Sequence, residues 1–152
     1  MSEYQRILVA VDGSTGADVA LKHAIEIVKR NPKAKLDVLR VIDINALEYG
    51  GTGIALDGQQ VYELEQVNEE YMLELNEKLV EKHGLDRQQV HVHLRFGNPK
   101  TVIVNDFQPE YQNDLLIVGS TGKNFIQRMV VGSVASYVIR NAQCDVLVAK
   151  EN

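Results

Sequence analysis

The sequence predicts an α/β fold in three layers, α/β/α: a Rossmann-like, five-stranded parallel sheet of order 3-2-1-4-5. Three observations carry this. Strand and helix patterns alternate from one end of the chain to the other, which argues parallel strands, right-handed crossovers and helices on both faces. The first and fourth strand patterns, Ile7–Val11 and Leu115–Val118, are unbroken apolar runs, as strands buried on both faces require. The third, Val90–Phe96, alternates with period two and reads as an edge. In this order the connections reverse direction between strands one and four. Ligands of such sheets bind beyond the carboxyl ends of the strands at that switch point.

After the first strand, Ala17, Ala20, Leu21, Ala24, Ile25, Ile27 and Val28 recur at helical spacing, with Ser14 placed to cap the helix. Leu36–Ile42 is the second strand. The stretch from Asp43 to Gln60 carries Gly50, Gly51, Gly53 and Gly58 and reads as a long loop, with a lid and disorder as alternative roles. The second helix follows, with Leu64, Val67, Tyr71, Leu75 and Leu79 as its expected inward stripe. Its other face is acidic (Glu63, Glu65, Glu69, Glu70, Glu74, Glu77, Glu81) and reads as solvated, helped by a Glu74→Lys78 pair. His91 and His93 share one face of strand three and are expected as exposed polar positions of an edge. Gly97-Asn98-Pro99 turns the chain into a short helix, Lys100–Phe107. Strand four, a glycine-rich segment, a helix from Val134 to Arg140 and strand five, Val146–Ala149, complete the pattern.

The chain has 152 residues and is expected to form a single domain over 1–152. Hydrophobic residues make up 45% and charged residues 24%, an ordinary globular balance. The net charge of −5 argues against an electrostatic nucleic-acid footprint. No run approaches the roughly 18 apolar residues of a membrane span. The start, Met-Ser-Glu-Tyr-Gln-Arg, lacks the apolar core of a signal peptide. The single cysteine, Cys144, forms no internal disulfide and fits a reducing cytoplasm; it is expected as a small core residue rather than an activated thiol.

The chemistry sits in Gly119-Ser120-Thr121-Gly122, nine residues, then Gly132-Ser133. The order is strand, glycine-rich loop, helix N-terminus. Such a segment offers backbone N–H groups and the positive end of the helix dipole to an anion, and glycines let the phosphates come close. The alternative is two ordinary turns and a helix start. A P-loop does not fit: the position five before Gly122 is Ile117, and Asn124 stands where Ser or Thr is needed. The dinucleotide fingerprint is absent too, since Gly50-Gly51-Thr52-Gly53 neither matches it nor follows a clean strand. The switch point brings Asp12-Gly13-Ser14, after strand one, to the same place. No Ser/His/Asp or Cys/His arrangement, metal cluster or base for an attacking water can be placed, so no catalytic residues are assigned.

With these residues in view the chain resembles the nucleotide-binding universal stress proteins, whose fold is of the adenine nucleotide alpha hydrolase-like type. The resemblance runs over nearly the whole length. It rests on Val9-Ala10-Val11-Asp12-Gly13-Ser14, on Gly97-Asn98-Pro99, on the fit of 119–133 to the family's G-x2-G-x9-G-[ST] ATP motif, and on Cys144 with Val146-Leu147-Val148-Ala149. Met129-Val130-Val131, Gln143 and Asp145 depart from the family pattern without touching the phosphate-binding positions.

The resemblance implies ATP in the switch-point crevice. Gly119, Gly122, Ser133 and Val134 would present N–H groups to the phosphates. Gly132 and Ala135 complete the segment, and Thr121 would meet ribose or phosphate. Val41 corresponds to the position whose main chain reads the adenine edge; Ala10 and Val11 would line the base or ribose pocket. Arg128 has two readings, a phosphate neighbour or a solvated loop residue. Asp12 also has two: it engages nucleotide-bound Mg²⁺ or the ribose, or it only closes an Asx-turn.

The expected role is a non-catalytic, ATP-dependent sensor or switch in the stress response. The alternatives are a slow Mg-dependent ATP hydrolase or nucleotidyl transferase on the same site, and a flavin or electron-transfer module of the same general fold. AMP and cyclic nucleotides stay open as ligands. Strand five is a short apolar edge, and edges of this kind are commonly paired; the resemblance suggests a homodimer formed through residues 146–149.

Overall fold

The computed structural model describes residues 3–44, 56–120 and 131–150. Its strands are β1 (Arg6–Ala10), β2 (Lys35–Ile42), β3 (Val90–Phe96), β4 (Leu115–Gly119) and β5 (Asp145–Ala149). All pair in parallel, in the order β3-β2-β1-β4-β5, as the apolar patterns predict. The helices are α1 (Thr15–Arg30), α2 (Gly58–Glu81), α3 (Pro99–Thr101), α4 (Gln108–Tyr111) and α5 (Ser133–Asn141), with a π-helical segment, Val102–Phe107, joining α3 to α4.

Alternation along the central strands sends side chains to two cores. Ile7, Val9 and Val11 pack with Ala17, Ala20, Ala24 and Val28 of α1 and with Met72 and Leu79 of α2. Leu8, Leu39, Leu116 and Val118 pack on the other face with Ile103, Phe107, Ala135 and Val138. Ile7, Leu8, Val9, Leu116 and Ile117 are wholly shielded from solvent. Each such burial contributes about 1.5–3 kcal/mol.

Several local expectations are corrected. α2 begins at Gly58, inside the stretch read as loop, because Asp57 and Gln60 form a reciprocal capping box: Gln60 N–H donates to Asp57 (2.7 Å) and Asp57 N–H to Gln60 (2.9 Å). The inward line of α2 is Asn68, Met72 and Leu79, with Leu75 half-buried; Val67 is 65% exposed and Tyr71 42%. Of the expected stripe, Leu79 is buried and Leu64 and Leu75 are half-buried, while Val67 and Tyr71 face outward because the polar Asn68 takes the place toward the sheet. The ion pair on α2 is Glu77–Arg87 (2.6 Å), not Glu74–Lys78. The helix after Gly97 starts at Pro99, capped by Asn98, and its helical path runs on to Tyr111.

His93 is the other correction. Its ring nitrogen lies 2.9 Å from the Asp37 carboxylate and its ring packs against Phe107 and Tyr111. Asp37, fully buried at the amino end of β2, also accepts two hydrogen bonds from Arg6 (2.7 and 3.0 Å) and one from Asn113 (2.9 Å). Burial alone would raise the Asp37 pKa. The hydrogen bonds from His93, Arg6 and Asn113, with the Arg6 charge, outweigh it and hold the carboxyl well below the usual carboxylate range. These partners come from β1, β3 and the approach to β4, so one carboxylate ties four strands at that end of the sheet.

Candidate functional site

The carboxyl ends of β1 and β4 lie side by side, and the segments leaving them define the crevice. After β1, Val11 N–H donates to Leu39 C=O (2.9 Å) and carries the ladder one residue further. Gly13 then adopts φ +82°, in the left-handed region that favours glycine. Asp12 Oδ1 accepts from Ser14 N–H (2.9 Å), so the Asx-turn is formed. Ser14 Oγ accepts from Ala17 N–H (3.1 Å), and the N-terminus of α1 is capped as the sequence predicts.

The N-terminus of α5 is built differently. Its N-cap is Gly132, which has no side chain to cap with. Gly132 N–H donates to Ser120 C=O (2.7 Å) and its own carbonyl accepts from Ser136 N–H (2.9 Å). The N–H groups of Ser133, Val134 and Ala135 precede the first intrahelical bond and, among the described residues, have no side-chain cap. Three backbone donors and the positive end of the helix dipole therefore converge beyond β4. Ser133 is exposed, so its hydroxyl adds to the set. Ala10, Val41 and Val134 all pack half-buried against the core on the α5 face, which places the expected pocket-lining residues on one side of the sheet. Val11 faces the opposite core and is 6% exposed, so its side chain is a packing residue.

Gly119 ends β4 in register with Ala149. A Cβ on it would lie 2.6 Å from the carbonyl carbon and oxygen of Gly16 in the first turn of α1. The absent side chain is thus required by packing: α1 seats directly on the end of β4, and the two loops are held together by that backbone contact. Thr121, Gly122 and Arg128 lie outside the described residues, as do residues 45–55 of the long loop.

Sequence reasoning missed Arg40 and Gly16. Arg40 lies near the carboxyl end of β2, with Nη1 3.8 Å from the place a Gly13 Cβ would take. The signal was there: a charge inside an apolar strand run needs a partner or a task. Cys144 is half-buried beside the core and burial pushes its thiol pKa up, which fits an inert residue. Among the described residues no group of three or more His, Cys, Asp or Glu side chains is placed to hold a metal ion, and no helix is long and apolar enough to cross a membrane.

Comparison with known proteins agrees with this geometry. A putative universal stress protein of Staphylococcus haemolyticus is 35% identical over 150 residues, covering 99% of this chain and 87% of that protein. The solved universal stress protein UspA of Lactobacillus plantarum superposes with a TM-score of 0.76 at 27% identity, covering 98% of this chain and 99% of its own. The universal stress protein of Archaeoglobus fulgidus, solved in complex with dAMP, has the same fold (TM-score 0.62, 24% identity, 98% and 100% coverage). The model of the universal stress protein family matches residues 3–150, and the chain belongs to that family.

Proposed function

We propose that this protein binds an adenine nucleotide, ATP, at the switch-point crevice and acts as a nucleotide-dependent switch in the stress response, as a single domain working in the cytoplasm. The observation that carries the reading is the uncapped N-terminus of α5, set beside the Asp12–Ser14 turn. Ser133, Val134 and Ala135 N–H groups take the phosphates, with Gly122, Thr121 and Arg128 contributing from the segment between Ser120 and Gly132. Ala10 and Val41 line the base side. Mg²⁺ fits as an ion carried in on the phosphates: Asp12 is one exposed carboxylate, and among the described residues no protein-built cage surrounds it.

The test is to denature purified protein and identify released nucleotide by chromatography and mass spectrometry, beside a Gly122→Val, Gly132→Val control. ATP or ADP from the wild type alone supports the site. No release, followed by no ATP binding in calorimetry with Mg²⁺, refutes it.

Asp12 at the mouth of the crevice favours a second reading, slow Mg-dependent hydrolysis or nucleotidyl transfer. Release of ADP or AMP over time, abolished in Asp12→Ala, supports it; turnover unaffected by that change rejects the mechanism.

The same reading includes a homodimer through β5. This strand is a sheet edge whose Val146, Leu147 and Val148 are only half-buried, and Ile139 of α5 is 52% exposed. Val148→Pro removes a ladder donor and should give monomers in light scattering. A variant that stays dimeric moves the interface elsewhere.

A further inference from the structure

β3 is the other edge of the sheet: among the described residues no strand lies beyond it in the order β3-β2-β1-β4-β5. Its backbone alternates between two sides. Gln89 C=O accepts from Leu36 N–H (2.7 Å) and Gly97 N–H donates to Ile42 C=O (3.0 Å), so the odd-numbered positions turn toward β2. The N–H and C=O groups of Val90, Val92, Leu94 and Phe96 therefore point away from the sheet. By composition this row is a hazard. Between Val90 and Phe96 there is no proline, and with the histidines neutral Arg95 carries the one formal charge. Edges of this kind template strand addition by another chain.

Arg95 is half-buried and folds back along the edge. Its Nη1 donates to the outward Leu94 C=O (3.1 Å), and its Nη2 donates to the Tyr111 hydroxyl (3.2 Å). Its guanidinium carbon lies 5.7 Å from the centre of the Phe107 ring. That seat is itself fixed: Phe107 is 1% exposed and stacks on Tyr111 with ring centres 4.3 Å apart. One ladder acceptor in the middle of the edge is thus already taken, and a charge lies beside it. A strand arriving here has to break the Leu94 bond and desolvate a guanidinium. β5 has no such guard: its Val146, Leu147 and Val148 run without a charge between Asp145 and Ala149.

We propose that Arg95, bonded to the Leu94 carbonyl, closes the β3 edge against strand addition by a second copy of this chain. The closure of β3 stands without the β5 dimer; its consequence for assembly rests on that reading. A dimer joined through β5 carries a β3 edge at each end. If β3 were open, dimers would join there end to end, and each addition would bring another free edge, so growth would not close. With β3 shut, assembly stops at the β5 pair.

The experiment is light scattering over a concentration series on wild type, Arg95→Thr and Arg95→Gln, with folding checked by circular dichroism and urea unfolding. Threonine suits a strand and removes the guanidinium. The expected result is a mean mass that rises about twofold or more with concentration in both variants, while the wild-type mass stays level. Leu94→Pro added to Arg95→Thr is the control. Leu94 N–H faces outward, so proline there removes a donor from the edge and none from the β2 ladder. The double variant should return to the wild-type mass. An unchanged mass in folded Arg95→Thr, or in Arg95→Gln where only that variant folds, overturns the proposal. So does growth that Leu94→Pro leaves in place, because association driven by lost stability would persist or worsen. A monomeric wild type whose Arg95→Thr variant associates refutes the β5 dimer and keeps the role of Arg95. A dimeric wild type with variants of unchanged mass refutes only the role of Arg95.

Discussion

The two ends of the sheet are built to opposite rules. At the amino end, two carboxylates collect donors: Asp37 receives Arg6, His93 and Asn113, and the Asp114 carboxylate takes the N–H groups of Gln5 (2.8 Å) and Arg6 (2.9 Å). At the carboxyl end the backbone is left open instead: among the described residues α5 starts without a side-chain cap, and Gly13 turns at positive φ. The difference sets an end tied together by carboxylates against the end at which the nucleotide site is proposed. Carboxylates saturated with donors rigidify the amino end, and the start of α5 at the other end has backbone donors to offer.

The strongest way to break this division is at Asp37. Asp37→Ala strands Arg6 and leaves His93 and Asn113 without their acceptor, and should cost about 3–5 kcal/mol in urea unfolding. Nucleotide affinity of the folded protein should not change; a weakened affinity in a fully folded sample would mean that the two ends are not separate. The same carboxylate predicts the acid limb. Its folded pKa lies below its ordinary value of 3.8, so its contribution is present above that pH and is lost as the pH falls below it. Unfolding followed down from neutral pH should steepen there in the wild type and flatten in Asp37→Asn.

Gly119→Ala tests the joint between α1 and β4 at the carboxyl end. The added Cβ meets Gly16 backbone at 2.6 Å, so either α1 or β4 must shift, at about 1–3 kcal/mol. Both melting temperature and nucleotide affinity should fall, since the contact seats α1, and with it the Asp12–Ser14 turn, on the end of β4. A variant that loses affinity with unchanged melting would assign Gly119 to the ligand alone.

Ser133→Pro sharpens the comparison at the smallest structural cost. Proline suits the first helical position, and Gly132 before it already has an extended ψ of 165°. Stability should stay within about 0.5 kcal/mol. Affinity for ATP should drop about tenfold, because one N–H and one hydroxyl are lost from the donor set. Unaltered affinity would place the phosphates away from α5.

The fold was legible because long-range order follows from burial. β1 and β4 are apolar on both faces and β3 is not, and that contrast alone ranks the strands. The family and the switch point could be read from Asp12–Ser14 and the glycine segment. What could not be read was any feature set by a tertiary contact. Val67 and Tyr71 of the α2 stripe lie outward because an asparagine, Asn68, faces inward and accepts from Arg40 Nε (2.8 Å). His93 was taken for a surface residue because its acceptor, Asp37, sits 56 positions away on the neighbouring strand. Gly119 was read for its N–H, and its packing duty appears only once Gly16 is opposite it.

That last pair has an evolutionary consequence. Where two side chains collide, a lineage can enlarge one and trim the other. Between Gly16 and Gly119 the opposing surface is main chain, and no substitution can trim a carbonyl. A larger residue at 119 therefore cannot be accommodated by trimming a neighbour; the seat of α1 itself has to be rebuilt.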